Sequence, residues 1–229
     1  MTSLLIQNLA SFNRKERFHL LSDAFNLGQG HSKLSDEFTK RVATASGISL
    51  AIPNDAFWAM DYHLDWIYAS LCLSGEKPAG SEAHLNSALP PFPRDGNLKI
   101  SGTQEDIDFL IAFDDPAIGK PRMVLIEAKF DTAWSNEQLG SKAERLCAIF
   151  GHAENHWAHL VEPYFLIASP KKPENLDLCV LPKWARKERI EQQWFELKSA
   201  SGEKADMVRV IRCDEKGNDK KDGLYWKVR

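Results

Sequence analysis

The sequence predicts an α/β protein: a mixed sheet flanked by helices, with helical additions at the N-terminus and a β-hairpin at the C-terminus. Apolar residues recur at helical spacing in the first third of the chain, whereas short apolar runs bounded by turn residues dominate after it. The 229 residues are 43% hydrophobic and 27% charged, which is typical of a single soluble domain with a substantial core. We divide this domain into a helical N-terminal extension (1–53), a core (54–170) and a basic C-terminal extension (171–229).

Two helices are predicted in the N-terminal extension. The segment NRKERFHLLSDAF (13–25) places three apolar residues on one face and is followed by glycines. Ser35 can cap a second helix that runs to about Ala45 and ends at Gly47, with Phe38 and Val42 facing inward.

A third helix is predicted after Pro53, capped by Asn54 or Asp55 and ended by Gly75. Its apolar stripe at helical spacing consists of Phe57, Met60, Leu64, Ile67, Tyr68 and Leu71. From there to residue 97 the chain is rich in Gly, Pro, Ser and Asn, which predicts a long irregular connection.

Three strands are predicted next, over residues 98–100, 106–113 and 123–130. The linker DDPAIGKPR between the last two has only nine residues, and a linker of this length favours an antiparallel hairpin over a crossover. Ser135 can then cap a helix that runs to about Phe150. The remaining predictions are a buried strand at 164–168, a charged helix at 184–197, and a hairpin formed by 207–213 and 224–228.

Charged residues interrupt two of the predicted strands. VLIEAKFD (124–131) carries Glu127 and Lys129, which share a face because side chains alternate along a strand, and DIDFLIAF (106–113) carries Asp106 and Asp108. In a hairpin, Asp108, Glu127 and Lys129 can converge at one end of the sheet. Carboxylates held together in apolar surroundings repel each other unless a divalent cation lies between them. The sequence therefore predicts a metal site formed by Asp108 and Glu127, with Asp106 as the alternative to Asp108.

An aspartate followed by 18 residues and then Glu-Ala-Lys, on consecutive strands, resembles the PD-(D/E)XK superfamily of phosphodiesterases over residues 54–170. That superfamily includes restriction endonucleases, recombination nucleases and junction resolvases, and its core has the order helix, three strands, helix, strand that is predicted here. The resemblance implies that Asp108 and Glu127 bind Mg²⁺ or Mn²⁺ and that Lys129 acts with the metal on the attacking water. Ile107 stands where the motif has its proline.

The same resemblance implies two further contributions to the site. Members often carry another acid on the helix before the sheet, and Asp61 and Asp65 lie on the predicted third helix, with Glu37 on the second helix as a third candidate. Many members also have a glutamine on the helix after the motif, which is the place of Gln138 in SNEQLG. The polar margin of an amphipathic helix would account equally well for Asp61 and Asp65.

A histidine segment and a basic segment are further candidates. GHAENHWAHL (151–160) places His152, His156 and His159 on one face if it is a continuous helix, which would permit a second metal site; a polar helix face or an exposed turn is the alternative. PKWARKERIEQQW interleaves two tryptophans with four basic residues, Lys183, Arg186, Lys187 and Arg189. Phosphate contacts and base stacking would suit nucleic acid, but an exposed helix face paired with internal glutamates explains the pattern nearly as well.

The sequence and the resemblance together predict a Mg²⁺- or Mn²⁺-dependent nuclease that acts on DNA. The alternatives are a non-catalytic nucleic-acid-binding or interaction protein, and a structural module in which Glu-Ala-Lys is accidental. The formal net charge of −3 requires any nucleic acid to bind a local basic surface, and two cuts in a duplex would make a homodimer the expected form. We expect a cytoplasmic protein without membrane contact, because no signal-peptide or transmembrane pattern is seen and the four scattered cysteines fit reduced thiols better than two disulfides.

Overall fold

The computed structural model describes residues 2–12, 20, 33–75, 100, 105–130, 134–198 and 210–228. The helix predicted over 13–25, the irregular connection before residue 97 and the strand at 98–100 lie outside the described residues, apart from single positions. The chain forms two compact units, Met1–Leu197 and Lys198–Arg229.

The first unit is built on a five-stranded mixed sheet, which confirms the predicted α/β class. Its first three strands are antiparallel neighbours, and the last two continue the sheet in parallel. In spatial order the strands are β1 (Phe57–His63), β2 (Asp106–Asp115), β3 (Lys120–Ala128), β4 (Glu162–Ser169) and β5 (Trp194–Glu196).

Helices cover both faces of this sheet and enclose two layers of core. They are α1 (Leu4–Ser11), α2 (Asp36–Ser46), α3 (Leu64–Ser74) and α4 (Asn136–Phe150). One buried cluster joins α1, α3 and α4 to sheet residues such as Leu110 and Leu125. The other joins α2 to the opposite face, through residues such as Ile111 and Val124.

The predicted hairpin of two consecutive strands is confirmed. Strands β2 and β3 pair in antiparallel register from Phe109 opposite Ile126 to Asp115 opposite Lys120, with residues 116–119 as the turn. Gly119 has a φ of 68°, a left-handed conformation that glycine adopts without steric cost. The hairpin fixes which residues of the two strands lie next to each other.

Two helices begin and end where their caps were predicted. The Ser35 hydroxyl accepts a hydrogen bond from the Phe38 N–H at 3.3 Å, and Gly47 ends α2 in the left-handed conformation. The Ser135 hydroxyl accepts one from the Gln138 N–H at 3.2 Å, and α4 then runs to Phe150. In both cases the side-chain oxygen satisfies an N–H that has no partner within the helix.

The predicted third helix is wrong in its first half, where residues 57–63 form strand β1 and only Leu64–Ser74 is helical. Phe57 and Ala59 pack into one core cluster while Trp58 packs against the other. Because both faces of the strand are covered, polar and apolar residues do not alternate along it, and the stripe at helical spacing was coincidental. Helix α3 therefore lies between the first two strands of the sheet, and the predicted order of one helix followed by three successive strands is not observed.

The predicted helix over 184–197 is also wrong. This segment contains turns, a short 3₁₀ helix at Ile190–Gln192 and the edge strand β5. The buried Gln193 amide donates hydrogen bonds to the carbonyl oxygens of Ala185 and Phe165, at 2.8 and 3.2 Å. These bonds satisfy an extended chain beside β4, and Phe195 is then buried against α2.

The second unit contains the predicted C-terminal hairpin, formed by β6 (Val210–Cys213) and β7 (Tyr225–Val228) in antiparallel register. Several of its large apolar side chains are exposed: Val210, Leu224, Tyr225, Trp226 and Val228. Within the described ranges of the whole chain, no helix has the length and apolar character needed to cross a membrane.

Candidate functional site

The structure brings Asp108 and Glu127 together on the β2–β3 hairpin. One step beyond the pair Phe109–Ile126, the register places Asp108 opposite Glu127. The Asp108 carboxylate also accepts a hydrogen bond from the Ala128 N–H at 2.7 Å, which holds the end of β3 against β2. Residues two positions away on the same faces, Leu110 and Leu125, belong to the cluster beneath α4, so this pair of acids faces α4.

Glu127 lies in surroundings that disfavour its charge. Its side chain is 14% exposed, and burial raises the pKa of the carboxyl group to about 7, with repulsion from Asp108 adding to the effect. Two ammonium groups, those of Lys142 and Lys129, act in the opposite direction. Two neighbouring acids in a partly dry site are therefore balanced by two lysines.

Lys129 lies directly after β3, at the same end of the sheet. Its backbone N–H donates to the Ala168 carbonyl oxygen at 2.8 Å, so β4 fixes its position. Its ammonium group lies 5.9 Å from the centre of the Trp134 ring, a cation–π distance. Lys129 is thus placed beside the acids, as the sequence indicated.

Lys142 on α4 is a member of the site that the sequence interpretation missed. Its Nζ lies 3.4 Å from Oε2 of Glu127, and it also donates a hydrogen bond to the carbonyl oxygen of Asp106. Gln138, the residue proposed for this helix, lies one turn earlier and is exposed. Position 142 is four residues after Gln138, hence on the same face of the helix, and that spacing was the available signal.

Asp61 is not on a helix but in β1. It lies between the pairs Met60–Phe109 and Tyr62–Ile107, and so level with Asp108 across the strands. Its φ of 48° is left-handed, which is uncommon for a residue other than glycine, and its Oδ2 atom is buried. Asp61, Asp108 and Glu127 therefore occupy one level of three adjacent strands.

Asp65 and Asp106 have structural partners. Asp65, in the first turn of α3, forms an ion pair with Arg145 of α4 at 2.7 Å, and Arg145 also lies 3.2 Å from Glu105. Asp106, the alternative to Asp108, lies 3.0 Å from Nδ1 of His63. Arg145 is one turn beyond Lys142, so α4 directs two cations toward this end of the sheet.

Glu37 is placed on the other side of the molecule. It lies on α2, which packs against the opposite sheet face, and it lines a surface cleft with Arg41 and with residues of β5. The structure therefore does not bring Glu37 to Asp108 and Glu127.

The three histidines do not lie on one continuous helix. Helix α4 ends at Phe150, and residues 152–160 form bends and turns, with the His156 N–H donating to the Phe150 carbonyl oxygen at 2.7 Å. The helical spacing that suggested a shared face for His152, His156 and His159 is therefore not realised.

The basic segment lies away from the acids. The Lys187 ammonium is 5.6 Å from the ring centre of Tyr164, which pairs with Val124, three residues before Glu127, and packs against the opposite sheet face. Lys183, Arg186 and Arg189 are exposed on turns rather than on a helix. The indole N–H groups of Trp184 and Trp194 donate to Gly151 and Ser169, so these rings pack within the fold.

The donors that are present fit a hard divalent cation in chemistry but not as a closed cage. Mg²⁺ keeps several waters and is commonly held by one or two carboxylates, which Asp108 and Glu127 supply. Among the described residues, no group of three or more His, Cys, Asp or Glu side chains is arranged to hold a metal ion.

Comparisons of the chain with protein-family models, with curated proteins and with solved structures find no match.

Proposed function

We propose that the protein is a divalent-metal-dependent phosphodiesterase that acts on DNA. The observation that supports this most directly is the Asp108–Glu127 pair on adjacent strands, with the ammonium groups of Lys129 and Lys142 next to it. Carboxylates for a cation and ammonium groups for a phosphate are the two kinds of charge that phosphodiester hydrolysis requires. The choice of DNA rests on the resemblance of the motif to the PD-(D/E)XK nucleases.

In this proposal Asp108 and Glu127 hold Mg²⁺ or Mn²⁺, and Asp61 is the nearest further acid by register. The bound cation would supply Lewis-acid activation of water and of the phosphate. Lys129 orients the attacking water and offsets the negative charge that develops on the phosphate oxygens. Its anchored backbone and its contact with Trp134 restrict where that ammonium group can lie.

The test is cleavage of plasmid, linear duplex, single-stranded DNA and RNA in the presence of Mg²⁺, Mn²⁺ or EDTA. We expect metal-dependent cleavage of DNA by the wild type, and a loss on the order of 100-fold or more for Lys129→Ala, because an electrostatic contact to the transition state is removed. Lys120→Ala is the matched control, since Lys120 is at the far end of β3 and pairs with Glu162 at 2.8 Å. Equal activity of the wild type and Lys129→Ala would rule out this mechanism.

A second candidate is a nucleic-acid-binding protein without catalytic activity. It is favoured by the contact between Lys142 and Glu127, because an internal ammonium group already lies where a metal would bind. Salt-dependent DNA binding, with no cleavage under any divalent cation, would support this candidate over the first.

A further inference from the structure

Lys142 is held at two points at the edge of the site. Its ammonium group lies 3.4 Å from Oε2 of Glu127, and it donates a hydrogen bond to the backbone carbonyl oxygen of Asp106. The side chain is only 13% exposed, so both contacts are made with little competition from water. Helix α4 fixes the position of Lys142 through Arg145, which is bonded to Asp65 on α3.

The charges around Glu127 balance without any bound ion. Asp108 and Glu127 contribute two negative charges when both are ionised, and Lys129 and Lys142 contribute two positive charges. A divalent cation that approaches Glu127 therefore meets the ammonium group of Lys142, and like charges at short distance in a partly buried site repel strongly.

We propose that Lys142 is the built-in counter-ion of Glu127 and that a divalent cation competes with its ammonium group for this carboxylate. This inference deepens the proposed function and rests on it. The Asp106 carbonyl oxygen gives the ammonium group a partner that it keeps when Glu127 turns to the cation. Lys142 is thus a positioning residue, which sets how readily the acid pair accepts a metal.

The first experiment measures Mn²⁺ affinity by calorimetry for the wild type, Lys142→Met, Lys142→Arg and the control Lys120→Met. We expect Lys142→Met to bind Mn²⁺ about fivefold more tightly or better, because the competing charge is gone. Lys142→Arg keeps the charge and should bind within about twofold of the wild type, as should Lys120→Met. Unchanged or weaker binding by Lys142→Met overturns the competition.

The second experiment needs no metal and separates the two proposals. Thermal unfolding at pH 8 with a chelator is compared for Lys142→Met, Glu127→Gln and the double variant. A counter-ion predicts that Lys142→Met lowers Tm clearly in the wild type and much less in the Glu127→Gln background. Equal shifts in both backgrounds overturn the counter-ion role even if the wild type cleaves DNA, whereas a clear difference without Mn²⁺ binding by any variant overturns the competition together with the nuclease proposal.

Discussion

Glu127 is the residue in which the chemistry of the fold is most concentrated. Its pKa is raised from 4.5 to about 7, mainly by burial, so the folded protein favours the protonated form. The stability that this group contributes is fully present below pH 4.5, and it is lost as the pH rises through about 7. Ionised Glu127 is thus a cost that the metal-free protein carries at neutral pH.

Replacing Glu127 with glutamine should therefore stabilise the metal-free protein at pH 8, by an amount on the order of 2 kcal/mol. The gain should shrink toward zero below pH 5, where the wild-type carboxyl group is protonated. Chemical denaturation across this pH range in the presence of EDTA measures it. The control Glu162→Gln removes only an exposed ion pair and should change stability by less than about 1 kcal/mol. A wild type more stable than Glu127→Gln at pH 8 would contradict the prediction.

Single residues in strands were easier to predict from sequence than single residues on helices. Asp108, Glu127 and Lys129 are conspicuous because they interrupt apolar runs. Lys142 and Arg145 are not, because a charged residue on a helix is normally part of its solvent face. Only the packing of α4 against the sheet shows that these two cations point inward.

At the scale of elements, local signals predicted α2, α4 and the β2–β3 hairpin, since a cap or a short turn is specified by a few neighbouring residues. Strand β1 and strand β5 were mistaken for helix. Their identity depends on the partners β2 and β4, which are distant in sequence, so no local pattern could reveal it.

Helix α4 offers a test of how a cap affects the site. Ser135→Ala and Ser35→Ala each remove one side-chain cap and should each cost about 1 kcal/mol of stability. Only α4 carries Lys142, so only Ser135→Ala should also alter Mn²⁺ affinity, whereas α2 packs on the opposite face. Urea denaturation and metal titration of the two variants provide the comparison, and a matching change in affinity for Ser35→Ala would contradict it.

At the scale of the whole molecule, the described members of both core clusters precede residue 198. A chain that ends at Leu197 should therefore fold and unfold cooperatively, with Tm within a few degrees of the full chain. A chain that ends at Gln193 loses β5 and the burial of Phe195, a side chain worth roughly 2 kcal/mol, and should be clearly less stable. Calorimetry of the three chains tests this, and loss of cooperative unfolding at the first truncation would show that the second unit is required.

The mixed sheet was predictable because its two kinds of connection are visible in the sequence. A nine-residue linker favours an antiparallel pair, and a capped helix between two apolar runs favours a parallel crossover. The position of α3 between β1 and β2 was not predictable, since it depends on how residues 57–63 pair. The predicted order of helix, three strands, helix and strand therefore describes only part of the observed topology.

The four-residue turn of the β2–β3 hairpin also bears on the order in which the molecule assembles. A short loop closes at little entropic cost and on the microsecond timescale, whereas β4 must wait for the chain of α4 to cross over before it can pair. Asp108 and Glu127 therefore meet before Lys142 reaches them. Their repulsion is then felt while the chain is still folding, and the ammonium group arrives later as the relief of a strain that the nucleus has already borne.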